Sequence, residues 1–272
     1  HAAKLGATGT LKDAWQQAYR EGVEALIVVR VTAGATPAET TAAVIGDETE
    51  GTGIWALAHA QALIAVSPMI LAAPGFSANV AGATEASPVA TALLALAERL
   101  KAVAVIDGPN TTEADGKVDI ALYGSDRVLY CDPAARAWDE VAQAVMTFPA
   151  SATAAAAMSV NDTKNGFWWS PSNILLKGIV GTARPVSFAI ADPATEANRL
   201  NAVGITTIVN QNGFRLWGNR SPSADPNWVF LSVRRTADMI YKSIEAAMLW
   251  AMDRPFSEQL LRDIRDSVQD YL

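Results

Sequence analysis

The sequence predicts an α/β fold with a mixed, largely parallel sheet and flanking helices, followed by a smaller α+β C-terminal portion that ends in two helices. Three short apolar runs, at residues 25–31, 69–73 and 102–106, support the first part of this prediction. Continuous apolar runs of this length are typical of strands buried on both faces. Helical patterns separate the runs, and this alternation implies right-handed crossovers between parallel strands.

Sequence signals also place the helices of this first part. Residues 12–20 form one predicted helix, and residues 54–64 form another that begins after two glycines. Ser87 followed by Pro88 marks the start of a third helix. Proline is tolerated at the first helical position because an N–H there would have no partner within the helix.

The middle of the chain departs from this alternation. Residues 119–122 and 127–131 are predicted as short strands, since a Gly-Ser-Asp turn lies between them. An alanine-rich segment predicts one long helix over residues 133–158, and residues 161–173 are predicted as a loop.

We place a domain boundary after the long helix. Residues 1–160 would form an α/β core domain and residues 161–272 a C-terminal α+β portion, and the two are compatible with one packed body. Within the C-terminal portion we expect a helix over residues 193–202 and a strand over residues 205–210.

Residues 213–235 combine tryptophans, arginines, glycines and prolines, but they contain no His, no Cys and no carboxylate cluster. The pattern predicts a strand over residues 214–217 and a second strand over residues 228–233. Gly218 and Asn219 are suited to a turn between them. Two arginines at the end of the segment then lead into a helix.

Two amphipathic helices are predicted to finish the chain. Apolar residues recur at helical spacing in each of them, which indicates one buried face per helix. These residues are Ile240, Ile244, Ala247, Met248 and Ala251 in the first helix, and Leu260, Leu261, Ile264, Val268 and Tyr271 in the second.

Composition narrows the classes of function. The chain has 272 residues, 50% of them hydrophobic, and a net charge of −7, which is enough apolar material for a full core. The negative charge argues against nucleic acid and anionic membranes as partners, because both require a positive field. No apolar run is long enough for a membrane span. The single cysteine excludes an internal disulfide framework and fits a reducing compartment.

Catalytic and cofactor patterns are incomplete. His59 lies in a helical pattern with no identifiable nucleophile or orienting carboxylate, and Cys131 is expected to be a small core residue. Residues 51–56 fit a relaxed dinucleotide fingerprint, but no acidic residue follows at the expected distance, so we interpret the two glycines as a loop and helix entry. We predict no catalytic residues, no cofactor and no metal site.

Carboxylates are the remaining side chains in the sequence that could support catalysis. Asp107, Asp115, Asp119 and Asp126 are predicted near the carboxyl edge of the sheet, where active sites of α/β proteins usually form. We favour solvated loop acids, because turn residues surround them. An α/β hydrolytic enzyme that uses these carboxylates stays the alternative, and a general adhesion or scaffold module is a third possibility.

Five runs of residues together resemble the contractile, myovirus-type family of phage tail sheath proteins. The runs occur in order along the chain, whereas the resemblance is weaker before residue 160. They are residues 168–173 (WWSPSN), 177–179 (KGI), 201–206 (NAVGIT), 213–220 (GFRLWGNR) and 228–235 (WVFLSVRR).

The resemblance implies a structural role. Sheath subunits of this family form stacked hexameric rings around a tail tube and contract to drive the tube through the host cell envelope during genome ejection. Trp217, Gly218, Asn219, Arg220 and Trp228 would be structural residues of the family motif, with the two tryptophans holding strands to the core. The device could belong to a phage, a prophage or a tail-like bacteriocin.

Partners follow from the same resemblance. Family subunits are joined by extended terminal arms that complete a neighbour's sheet, and other partners are the tail tube, the baseplate and the tail terminator. We expect this chain to be a trimmed core without the arms, and therefore largely monomeric. The implied location is the virion tail, assembled in the bacterial host cytoplasm.

Four basic residues near the final helices are candidate contacts to the tube or to other subunits. A solvated pair beside a helix is an equally good interpretation of the first two. The four residues are Arg234, Arg235, Lys242 and Arg254.

Overall fold

The computed structural model describes residues 5–6 and 9–272, so residues 1–4 and 7–8 of the predicted first domain lie outside it. The helices in this part of the chain are α1 (Leu11–Glu21), α2 (Pro37–Ile45), α3 (Ala60–Ile64), α4 (Pro88–Leu100), α5 (Glu113–Ile120), α6 (Ala150–Asn165), α7 (Glu196–Ala202), α8 (Leu231–Ala247) and α9 (Glu258–Tyr271), with 3-10 helices at Gly53–His59 and Leu249–Ala251. The strands are β1 (Ile70–Ala72), β2 (Val103–Asp107), β3 (Val128–Cys131), β4 (Ala135–Asp139), β5 (Ala144–Phe148), β6 (Ile174–Leu175), β7 (Ile179–Thr182), β8 (Ile205–Asn210) and β9 (Phe214–Trp217).

The main sheet has six strands in the order β1-β2-β3-β8-β9-β6. Strands β1, β2, β3 and β8 are parallel, whereas β9 and β6 add antiparallel pairs at one side. The predicted class, a mixed and largely parallel sheet with flanking helices and two final helices, is confirmed. The sheet takes strands from both sides of residue 160.

Strand β2 is buried at every position, so its successive side chains enter two different helical layers. Ala104 and Ile106 belong to a core cluster with Leu93 and Leu96 of α4. The alternate residues of β2 belong to a second cluster with Ala154 and Met158 of α6. The small side chains of α6 let this helix lie close to the sheet.

A second, three-stranded antiparallel sheet has the order β5-β4-β7. Its central strand β4 alternates buried and exposed residues, which is the pattern of a strand with one face on the core. The prediction of a continuous helix over residues 133–158 is therefore wrong in its first part. Alanines at 135 and 137 favour a helix by propensity, but their period-2 burial fits a strand. The helix begins only after Pro149 and runs to Asn165, into the predicted loop.

Three predicted strands are absent from the described residues. Residues 25–31 form neither a helix nor a ladder with another strand. Residues 119–122 lie at the end of α5 and in the turn after it, because Thr112 caps a helix there by accepting a hydrogen bond from Asp115 N. Residues 228–233 contribute only an isolated bridge between Arg220 and Phe230 before α8 begins.

Several predicted elements are confirmed. Helix α4 begins at Pro88, directly after Ser87. Helix α1, strands β1, β2, β3, β8 and β9, and the two final helices also occur where the sequence places them, and the helix predicted over residues 193–202 begins three residues later, at Glu196. Within the described residues, no helix has both the length and the apolar character needed to cross a membrane.

Asp107, at the end of β2, holds the start of α6. Its carboxylate accepts hydrogen bonds from Ser151 N at 2.7 Å, Ser151 Oγ at 2.6 Å and Ser77 Oγ at 3.1 Å. Burial raises the pKa of Asp107, and these hydrogen bonds oppose the rise. The carboxylate thus satisfies an N–H in the first turn of α6 and faces the positive end of that helix.

Glu21 performs a similar role at the end of α1. Its carboxylate accepts a hydrogen bond from Lys177 N at 2.8 Å, and Lys177 Nζ donates to the Glu21 carbonyl at 2.5 Å. The side chain is buried, and burial raises its pKa from 4.5 to about 7, against the lowering effect of Lys177. Helix α1 is thereby tied to the loop that precedes β7.

We expect Asp107→Ala to destabilise the chain by about 2–4 kcal/mol, because three buried donors lose their acceptor. Urea unfolding measures this change. Asp115→Ala is the matched control: Asp115 lies in the first turn of α5, is half-buried and accepts exposed hydrogen bonds from the Thr111 and Thr112 hydroxyls. The control should destabilise far less, and equal losses would contradict the assigned role of Asp107.

Glu21 should make stability depend on pH. Its pKa is higher in the folded chain, about 7, than the ordinary 4.5, so the folded state keeps a proton that the unfolded state releases. Unfolding free energy should therefore fall as the pH rises from about 4.5 to about 7. Glu21→Gln should remove this fall in urea titrations, whereas Glu24→Gln, at an exposed neighbouring position, should keep it. A slope that Glu21→Gln leaves unchanged would refute this account.

Candidate functional site

The structure assigns the family-motif residues to the turn that starts α8. Gly218 has a φ of 151°, and a Cβ there would lie 2.5 Å from Thr206 Oγ1 and 2.8 Å from Thr206 Cα. Only glycine fits this close approach to β8. Asn219 Oδ1 then accepts a hydrogen bond from Ser232 N at 3.2 Å, and Asn219 Nδ2 donates to Ser232 Oγ at 3.0 Å. Asn219 therefore connects the end of β9 to the first turn of α8.

The two tryptophans of the same segment are half-buried, whereas Phe230 is exposed. Trp217 meets Phe188 edge-on at 4.7 Å between ring centroids. Trp228 lies under the guanidinium of Arg234 at 4.2 Å, and Arg220 lies over the ring of Phe230 at 5.4 Å. Aromatic and cation–π contacts thus surround the turn, and Trp228 contacts α8 rather than a strand of its own.

Helix α8 is attached to the α/β body mainly through charge. Its buried residues are Leu231, Arg234, Arg235 and Asp238. Leu231 belongs to the core cluster on the α6 side of the sheet. The other three enter ion pairs, so charged side chains make most of the buried contacts of this helix.

Asp238 is the centre of this network. Its carboxylate accepts hydrogen bonds from both terminal nitrogens of Arg127, with Arg127 Nη2 lying 2.8 Å from Oδ1. Arg234 Nη2 also donates to Oδ1, at 2.9 Å. Arg234 also reaches Asp126 at 3.4 Å. Burial lowers the pKa of Arg127, but the hydrogen bonds and charge of Asp238 outweigh burial and raise it. Because Asp126 and Arg127 precede β3, the network holds α8 at the amino end of the sheet.

Arg235 makes a second attachment. Its two terminal nitrogens face the two carboxylate oxygens of Asp162 in α6, with Nη1 to Oδ1 at 2.9 Å. Arg235 is 2% exposed and Arg234 is 7% exposed. The interpretation of these arginines as a solvated pair is therefore wrong. Their guanidinium groups are already used within the chain, and contact with a tube by either residue stays a prediction.

The other two predicted contact residues lie further along the chain. Lys242 Nζ is buried without a hydrogen-bond partner among the described residues, and burial lowers its pKa. Arg254 is exposed and stacks over Trp250 at 5.0 Å. The apolar stripes of α8 and α9 are largely half-buried or exposed: Leu261 is 47% and Tyr271 is 53% exposed, whereas Leu260 is buried.

The carboxylates considered for catalysis have separate structural partners. Asp119 accepts a hydrogen bond from Tyr130 Oη at 2.6 Å and one from Asn79 Nδ2 at 3.1 Å. Asp107 binds the start of α6, and Asp126 pairs with Arg234. Asp107 and Asp119 are buried, so their description as solvated loop acids is wrong. Such buried pairs carry little signal in a sequence, because the partners are distant along the chain.

The remaining motif residues also have structural surroundings. A Cβ on Gly53 would lie 2.5 Å from Val44 O, so this glycine is required where the loop passes the end of α2. Burial raises the pKa of the Cys131 thiol well above its usual value, which keeps it protonated and unreactive. In the described part of the chain, no group of three or more His, Cys, Asp or Glu side chains is placed to hold a metal ion.

Comparisons with known proteins agree on one family. Residues 50–221 match the family model of the phage tail sheath protein central domain. The chain is 37% identical over 274 residues to a putative prophage major tail sheath protein of Pseudomonas aeruginosa (strain UCBPP-PA14), covering 100% of this chain and 69% of that protein. It is 29% identical over 276 residues to the tail sheath protein of Escherichia phage P2, covering 98% of this chain and 68% of that protein.

The fold is also similar to solved sheath structures. The helical sheath of the anti-feeding prophage in its contracted state aligns with a TM-score of 0.68 and 19% identity, covering 98% of this chain and 66% of that one. The sheath complex of an extracellular contractile injection system, also contracted, aligns with a TM-score of 0.55 and 25% identity, covering 72% of this chain and 54% of that one. The two alignments thus cover between about half and two thirds of these solved sheath subunits, 54% of one and 66% of the other.

We expect Asp238→Ala to release α8 from the body, because Arg127 would lose the carboxylate that pairs its charge and Arg234 would keep only its longer contact to Asp126. Loss of one member of a buried ion pair costs about 3–5 kcal/mol. Hydrogen exchange of the α8 amides should accelerate by about a hundredfold or more, whereas exchange in β2 should stay slow.

The control for this experiment is Glu245→Gln. It removes the exposed pair between Glu245 and Lys101, on the same helix. Exposed pairs contribute little, so α8 should exchange as in the parent chain. If Asp238→Ala left α8 exchange unchanged, the network would not be what holds this helix.

Proposed function

The chain belongs to the phage tail sheath family, and on this premise we propose that it is a structural subunit of a contractile tail sheath. In this proposal the subunits form stacked hexameric rings around a tail tube. Contraction of the rings drives the tube through the host cell envelope during genome ejection. The match of residues 50–221 to the sheath central domain is the observation on which the proposal depends.

The buried sheet supports a role as a rigid body. Every residue of β2 and β3 is buried, and helices pack on both faces of these strands. A subunit that changes its neighbours during contraction needs such a body, because movement is transmitted only if the subunit itself keeps its shape.

The C-terminal helices support a role in contacts. Leu249, Met252 and Phe256, in and just after the short 3-10 helix between α8 and α9, are 65%, 65% and 84% exposed. Lys242 and Arg254 lie in the same region, so apolar and basic groups occur together. We propose that this region faces the tail tube or a neighbouring subunit.

The proposal extends to partners and place. Other sheath subunits, the tube protein, the baseplate and the tail terminator would be the partners of the whole protein. The sheath would assemble in the bacterial host cytoplasm and end in the virion tail. We expect this chain by itself to be monomeric.

Electron microscopy of the full-length protein tests the proposal. Hollow helical tubes or contracted sheaths are the expected result. Discrete particles under all conditions, with or without tail tubes, would contradict a sheath function.

Charge reversal tests the proposed contact region. The full-length variant Arg254→Glu should assemble on tail tubes at least about tenfold less than the parent, a loss expected for contacts of more than about 1.4 kcal/mol in total. Arg234, Arg235 and Lys242 are left unchanged, because their charged groups are buried and reversal would disrupt the body. Arg99→Glu, at an exposed ion pair with Glu48, is the matched control. Circular dichroism checks folding, and unchanged assembly of Arg254→Glu would rule out this contact region.

A further inference from the structure

We propose that residues 25–31 form a closing strand, which moves onto the edge of β1 that has no strand partner among the described residues and becomes a seventh strand of the main sheet. The structure shows this segment in an open position. A cavity of about 860 Å³ separates it from β1. The proposal concerns the fold itself and does not depend on the sheath function.

The lining of the cavity identifies the missing element. Consecutive residues 25–33 and consecutive residues 66–74 both line it. A cavity bounded by one face of a strand would be lined by every second residue, because strand side chains alternate. Lining by consecutive residues instead places the backbones of both segments against the gap.

The other two walls are the two helical layers of the fold. Leu11, Trp15 and Ala155 of α1 and α6 lie on one side, and Val44 of α2 and Ile54 of the neighbouring 3-10 helix lie on the other. The gap therefore continues the layer of the sheet, between the helices that cover it. A strand is the element that fits there.

The outer edge of β1 has backbone N–H and C=O groups that no other strand among the described residues pairs. Strand β1 is the end of the sheet order, and Val103 N donates to Met69 O at 3.0 Å across the β1–β2 ladder. In a parallel ladder the residues that bond one neighbour alternate with those that face away. The N–H and C=O groups of Ile70 and Ala72 therefore face the gap, where pairing would satisfy them.

The segment itself has the pattern of a strand. Ile27, Val29 and Val31 are half-buried, whereas the alternate residues Leu26, Val28 and Arg30 are exposed. Val31 already packs against the core cluster on the α4 side. Closure would turn this alternate set toward the α6 side, where Ile70 and Ala72 also pack.

Direction is fixed by the connection. The chain passes from residue 31 through α2, the 3-10 helix and α3 before it enters β1. A helical crossover of this kind joins parallel strands. The closed segment would then extend the parallel series of β1, β2 and β3.

Hydrogen exchange of the unmodified chain is the first test. We expect amides in residues 25–31 and 69–73 to be protected to within about tenfold of those in β2, because the closed position pairs both backbones. Exchange of residues 25–31 at the rate of an exposed loop, with β2 protected, would overturn the proposal.

Disulfide trapping is the second test, in a Cys131→Ala background. Val28→Cys/Ala72→Cys and Val28→Cys/Ile70→Cys place thiols on the same face and should form an intramolecular disulfide under mild oxidation. Val29→Cys/Ala72→Cys places them on opposite faces and should not. Failure of both same-face pairs would show that the segment does not close, and an intermolecular disulfide instead would show that a strand from another chain takes the edge.

Discussion

Strands β2 and β3 are buried on both faces, and this constraint governs every polar group that reaches them. A carboxylate or phenol at this layer cannot be hydrated, so it must find its partner inside the protein. Tyr130 of β3 pairs with Asp119 of α5, and Asp107 at the end of β2 pairs with Ser151 of α6. The pairs that satisfy these groups therefore also determine where α5 and α6 lie against the sheet.

Charged side chains at the opposite end of the sheet are likewise paired inside the protein. Arg127, just before β3, is paired by Asp238, and Arg235 is paired by Asp162. Helix α8 thus depends on ion-pair geometry more than on apolar area, with Leu231 as its one buried apolar side chain among the described residues. A buried pair that loses one member fails strongly, and its separation exposes little apolar surface. Such an attachment is stable while its ion pairs are intact, yet the ion pairs can separate together.

Much of the fold could be predicted because its signals are local. The apolar runs of β2 and β3 and the Ser87-Pro88 start of α4 need no information from elsewhere in the chain. The hairpin of β4 and β5 was missed because alanine favours a helix locally, whereas the decisive contact, burial of one strand face, is made with distant residues. The burial of Arg234 and Arg235 was missed for the same reason, since Asp126 and Asp162 lie far away in sequence. In the candidate site, the motif residues were found but their contacts were not.

Apolar packing and ion pairs differ in how far they transmit a displacement through the chain. Around β2 and β3, packing is continuous through both helical layers, so a displacement there would be felt throughout the body. The region of α8 and α9 meets that body through a few ion pairs, and much of its apolar stripe is half-buried or exposed. New contacts on the C-terminal helices would therefore reach the sheet mainly through Arg127 and Asp162. We infer that these helices can change neighbours while the sheet keeps its shape, as the proposed contraction would require.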